Sequence, residues 1–98
     1  MPKINEELET SLSLDEPTKY NVLLHNDDYT TMDFVVDILM NIFHKGLIEA
    51  EQIMLNIHSS GKAVCGTYTY DIAQTKVYQV KQLARKNGFP LLATVEEA

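Results

Sequence analysis

Apolar and polar positions change their spacing several times after Tyr20, and each change marks a structural element. Tyr20-Asn21-Val22-Leu23-Leu24-His25 gathers aromatic, β-branched and aliphatic residues over a strand's length, and the polar cluster Asn26-Asp27-Asp28 ends it. Thr30 or Thr31 then suits a helix N-cap, with Asp33 placing negative charge near the positive end of the helix dipole. Val35, Ile38, Leu39 and Ile42 recur at helical spacing, which predicts an amphipathic helix from Thr31 to about Lys45, stopped by Gly46. A second helix is expected from about Ile48 to Ser59, with Ile53, Met54, Ile57 and His58 on its less polar stripe and Ser59-Ser60-Gly61 as its break. Lys62 to Tyr70 reads as a strand in which Gly66 implies a bulge or a close backbone approach. Asp71 opens a third helix to about Lys86, with Ala73, Val77, Val80 and Ala84 on one face. Asn87-Gly88-Phe89-Pro90 terminates it, and Leu91 to Val95 forms the last strand. The order β-α-α-β-α-β with a three-stranded sheet makes an α+β two-layer sandwich.

The first eighteen positions follow no such pattern. Between Met1 and Lys19 two Lys face Glu6, Glu7, Glu9, Asp15 and Glu16, and Leu8, Leu12 and Leu14 stand among Ser and Thr. Leu8 and Leu12 share a helical face for one turn only, too little to nucleate a helix. Residues 1–18 are therefore read as a mobile N-terminal extension and residues 19–98 as the folded domain.

Composition narrows the function. The 98 residues suffice for one domain, and a 45% hydrophobic content supports a packed core. Eight Lys and Arg against fourteen Asp and Glu leave a formal charge of −6, opposite to the basic footprint that nucleic acid requires. No apolar run approaches the ~20 residues that span a bilayer. The acidic, polar start is unlike a secretory signal, and one cysteine fits a reducing compartment. A soluble, cytoplasmic, monomeric protein is expected, without a membrane or nucleic-acid partner.

Three constellations bear chemistry. Asp27-Asp28 after the first strand resembles an Mg²⁺-holding phosphoacceptor pair, but the later strand ends offer only Tyr70-Asp71 and Val95-Glu96, and the chain is too short for a doubly wound sheet. Read alone, the two carboxylates are turn residues. Cys65 with His58 is a legitimate nucleophile–base pair, yet a mid-strand cysteine is usually core, and His44, His58 and Cys65 lack zinc spacing. No metal or cofactor is expected. The third constellation joins Asn26-Asp27-Asp28-Tyr29-Thr30 to Met32-Asp33-Phe34-Val35, with Met54-x-x-Ile57-His58 on the following helix. Met54 and His58, four apart, share a helical face. Carboxylates, an amide and an imidazole beside flexible apolar side chains suit an ammonium group that carries a hydrophobic side chain, as a free peptide N-terminus does.

These stretches, together with Ile53-Met54-Leu55, Gly61-Lys62-Ala63-Val64-Cys65-Gly66, Thr75-Lys76-Val77 and Pro90-Leu91-Leu92, resemble ClpS, the adaptor family of ATP-dependent Clp proteases. The resemblance covers the chain from Tyr20 onward; it departs at Thr31, where the family usually has Pro, and both residues suit a first helical turn. It implies a non-enzymatic adaptor that binds proteins bearing N-terminal Leu, Phe, Tyr or Trp and delivers them to a ClpA- or ClpC-type AAA+ unfoldase. It places Asn26, Asp27, Asp28 and His58 around the α-amino group. It implies that Val35, Met54, Ile57 and Leu91 line the side-chain pocket, with Thr30 and Met32 at its mouth. It further implies that the unfoldase interface falls on Asp71 and Lys76 and that the N-terminal extension takes part in hand-over. A second class remains open: a ribosomal-stalk-like interaction domain, which shares the fold and reads no N-terminus.

Overall fold

The structure, a computed structural model, describes residues 18–98. Strand β1 spans Lys19–His25, helix α1 Met32–Asn41, helix α2 Leu47–Ser60, strand β2 Lys62–Thr69, helix α3 Tyr70–Lys86 and strand β3 Leu92–Glu97. The expected β-α-α-β-α-β order is present. The extension assigned to residues 1–18 lies outside the described residues except for Thr18.

β1 is the middle strand of the sheet, antiparallel to β2 on one side and to β3 on the other. That position follows from its sequence, the most continuously apolar of the three strands. Val22 and Leu24 are fully buried on the face that the helices cover, and Leu23, on the opposite face, keeps only 4% exposure between Val64 and Thr94. Ile38, Leu39, Ala50, Ala73 and Val80 close the core from the helical side, each at 0% exposure. The helical periodicity of the sequence thus selects the residues that pack.

Gly66 fulfils both roles its position implies. Val22 pairs with Gly66 and Leu23 with Val64, so Cys65 is the extra residue of a bulge in β2. A Cβ on Gly66 would overlap the Tyr68 ring, which lies across its backbone.

α1 is shorter than its periodicity predicts. It ends at Asn41 with Ile42 as C-cap, and the reversal falls on His44, at φ 56°, with the Lys45 N–H donating to the Leu39 carbonyl at 3.1 Å. Ile42 and Phe43 are apolar and buried because the chain folds inward there, not because the helix continues. Gly46 does not stop α1; it is the N-cap of α2. The Lys76 ammonium, from α3, donates to the Ile42 carbonyl at 2.7 Å and lies 5.7 Å from the centre of the Tyr68 ring. It satisfies one of the carbonyls that the end of α1 leaves open.

Candidate functional site

The loop from Asn26 to Thr31 decides the site, and one carboxylate builds that loop. Asp27 Oδ1 accepts the backbone N–H of Tyr29 at 2.8 Å and of Thr30 at 2.7 Å, and Oδ2 accepts the Thr30 hydroxyl at 2.7 Å. Partial burial opposes charge on this carboxyl, but the bonds from Thr30 and Tyr29 outweigh it and hold the pKa below the ordinary aspartate value. Thr31 then caps α1, its hydroxyl accepting the Phe34 N–H at 3.2 Å, so the chain passes from turn to helix without an idle residue.

The loop forms one wall of a cavity of about 270 Å³ lined by Asn26, Asp27, Asp28, Thr30, Met32, Val35, Met54, Ile57 and His58. Its floor is apolar: Val35 and Ile57 are buried and Met54 half-buried, packed against the core. Met32, 45% exposed, stands at the opening. On the polar side Asn26, Asp28 and His58 are exposed, and among the described residues their side chains make no hydrogen bond to the protein. The acceptor inventory is therefore unspent on these three and spent on Asp27. The C-terminal turn of α2 carries His58 to this wall, and the negative end of that helix dipole favours a cation beside it.

Nine of the ten residues assigned to the amine site and the pocket from the sequence thus surround one cavity. Leu91 does not. It is buried and lines a separate groove with Val77, Lys81, Phe89 and Pro90, on the side of α3 that faces β3. Its apolar character was legible, but which hollow it borders depends on the turn after α3. Of the two interface candidates, Asp71 is exposed in the first turn of α3, whereas Lys76 is committed to the Ile42 carbonyl. Gly61 was read only as a helix break. At φ 89° it closes α2, and its carbonyl accepts the Asn26 N–H. The Ser-Ser-Gly ending signals the cap, but nothing in it signals the partner.

The competing chemistries lack their geometry. Among the described residues no three His, Cys, Asp or Glu side chains converge as a metal site. Cys65 is 1% exposed, and burial pushes its thiol up to about 12, the nearby Leu24 backbone and Lys45 offsetting only part of this. It does not line the His58 cavity. A wider groove of about 490 Å³ runs between Asn41, Ile42, Tyr78, Gln82, Leu83 and Lys86, but it holds no carboxylate to receive an amine. No helix among the described residues is long and apolar enough to cross a membrane.

The family model described as ATP-dependent Clp protease adaptor protein ClpS matches residues 15–94. Among similar proteins, the ATP-dependent Clp protease adapter protein ClpS of Syntrophus aciditrophicus is 58% identical over 82 residues, covering 84% of this chain and 77% of the relative. The protein of the same description from Wolinella succinogenes is 52% identical over 91 residues, covering 93% and 89%. The solved structure of Agrobacterium tumefaciens ClpS2 bound to L-phenylalaninamide superposes with a TM-score of 0.82 at 36% identity, covering 85% of this chain and all of that one. With the fold, the cavity and these likenesses in agreement, the chain belongs to the ClpS family of ATP-dependent Clp protease adaptor proteins.

Proposed function

We propose that this adaptor binds proteins with N-terminal Leu, Phe, Tyr or Trp and delivers them to a ClpA- or ClpC-type AAA+ unfoldase. The observation that carries the reading is the pairing of three unspent polar groups, on Asn26, Asp28 and His58, with the apolar floor of Val35, Met54 and Ile57 in one 270 Å³ cavity. An α-ammonium presents three N–H donors. The Asn26 carbonyl, the Asp28 carboxylate and a ring nitrogen of His58 supply three acceptors. The substrate's first side chain then enters the apolar part, where burying a Leu or Phe side chain is worth roughly 1.5–3 kcal/mol. L-phenylalaninamide, the molecule bound by the Agrobacterium protein, combines the same free amine and apolar side chain.

In this reading Asp27 positions the loop and touches the substrate only at the edge of the site, and Thr30 holds the turn closed against it. Leu91 supports the pocket from outside rather than lining it. Docking on the unfoldase uses the first turns of α3 around Asp71. Lys76 contributes there through its tie to the end of α1. The adaptor performs no bond chemistry, and acts as a cytoplasmic monomer, where unfoldase and substrates meet. The stalk-like alternative gives no reason for three polar side chains to stand open above an apolar hollow.

Titration with two peptides tests this directly. A peptide beginning with Phe binds, and the same peptide N-acetylated loses at least a hundredfold, because acetylation removes the charge and two of the three donors. Equal binding of the two would leave the stalk-like reading in place.

A further inference from the structure

The groove that takes Leu91 is the feature that N-terminal recognition leaves unused. It has a volume of about 340 Å³ and an apolar floor of Val77, Phe89, Pro90 and Leu91, and it opens along the outer side of β3, the edge strand. Lys81 and Arg85, one helical turn apart on α3, flank it, and no carboxylate lines it. Among the described residues the ion pair formed is Lys45 with Glu49, so both flanking cations are without a partner there. Arg85 complements the dipole at the end of α3, but Lys81 sits a turn earlier, and the dipole does not account for the apolar floor.

We propose that this groove is the docking site of the chain's own residues 8–16. That segment carries Glu9, Asp15 and Glu16 with no cation, and Leu8, Leu12 and Leu14 as its apolar residues. Its charge and its leucines complement the two cations and the floor. The reach also agrees. Thr18 lies at the start of α3, beside Tyr20, Thr69, Tyr70 and Asp71. Ala93, at the groove, pairs with Leu24, six residues along β1 from Thr18, so it lies about 20 Å along the sheet from that point at ~3.3 Å per residue. The ten residues back from Thr18 to Leu8 cover up to about 34 Å. Leu12 and Leu8 thus reach the floor, which brings Glu9, between them, within range of Lys81 and Arg85. A docked segment is withheld from other partners, so engagement by an unfoldase competes with this contact.

Paramagnetic relaxation in the full chain tests the contact. A nitroxide on Ser13→Cys leaves the buried Cys65 unlabelled. At low salt the amide signals of Lys81, Arg85, Phe89 and Leu91 lose more than half their intensity, while those of Glu51 and Leu55, on α2, which packs on β2 and α1, keep theirs. Reversing charge with Lys81→Glu and Arg85→Glu together restores the lost intensity, as does 0.5 M salt in large part. Weak, uniform broadening over the surface, or broadening indifferent to charge reversal, would overturn the proposal. A mixture of labelled unenriched protein with unlabelled ¹⁵N protein gives no effect if the contact lies within one chain. Broadening in that mixture assigns the groove to the segment of a second copy instead, and equally overturns it.

Discussion

The backbone N–H of Asn26 donates to the carbonyl of Gly61 at 2.8 Å. This bond joins the loop that holds Asn26 and Asp28 to the end of the helix that carries His58, so the three polar groups keep one spacing. It needs Gly61 at φ 89°, a conformation that costs an L residue roughly 1–2 kcal/mol even where, as here, a Cβ meets nothing within 4 Å. Gly61→Ala should lower unfolding free energy by about that amount in urea titrations and weaken binding of Phe-initiated peptides. Unchanged stability would show that the loop relaxes around the new residue.

His58 is exposed and makes no hydrogen bond to the protein among the described residues, so its removal should spare the fold. His58→Ala is expected to weaken Phe-peptide binding at least tenfold, or about 1.4 kcal/mol, because a hydrogen bond to a charged group contributes roughly 1.5–3 kcal/mol. Fluorescence anisotropy measures the loss, and thermal melting should show no change. Unaltered affinity would remove His58 from the site.

Asp27 and Asp28 are adjacent and should respond differently. The ionised form of Asp27 is the one bound by Tyr29 and Thr30, which lowers its folded-state pKa beneath the unfolded value of 3.8. Its contribution is thus complete above the unfolded pKa and disappears as pH falls through the lower, folded one. Asp27→Asn should flatten the acid limb of stability measured between pH 6 and pH 2. Asp28→Asn should weaken peptide binding at pH 7. Identical pH profiles for wild type and Asp27→Asn would contradict the turn-building role.

Met32 stands at the cavity opening over the floor of Val35 and Ile57. Val and Ile branch at Cβ and are stiff at χ1, so their width falls where Met32 narrows the mouth. Met32→Ala should admit Val- and Ile-initiated peptides while retaining those that begin with Phe. If competition assays detect no gain for β-branched residues, another side chain is the gate.

The described residues pack a buried cluster among themselves, so a chain starting at Lys19 should fold and keep Phe-peptide affinity within about twofold, near 0.4 kcal/mol. Its stimulated degradation of N-degron substrates by purified unfoldase and peptidase should fall away. Eighteen residues extend about 60 Å at ~3.3–3.6 Å each, enough to enter a pore while the domain stays outside. Full delivery by the shortened chain would leave the extension without a part in hand-over.

Periodicity alone determined the three helices, the three strands and their order, because burying one face dictates which positions are apolar. Val22 and Leu24 on β1, and Ala73, Val80 and Ala84 on α3, were legible for that reason. The residue types around the cavity were legible too, since an amine with an apolar side chain calls for acceptors beside aliphatic groups. Local pattern could not place the end of α1. Ile42 and Phe43 are apolar whether they continue a helix or turn into the core, and only His44 with its left-handed backbone separates the two. Nor could it choose between neighbouring carboxylates. Turn geometry spends both oxygens of Asp27 and leaves Asp28 open, although the two are the same residue type side by side. Tertiary structure likewise drew the Lys76 ammonium inward to Ile42 and turned Leu91 toward a second groove. Side-chain identity sets which bonds a residue is able to make; the meeting of segments distant in sequence decides which of them it makes.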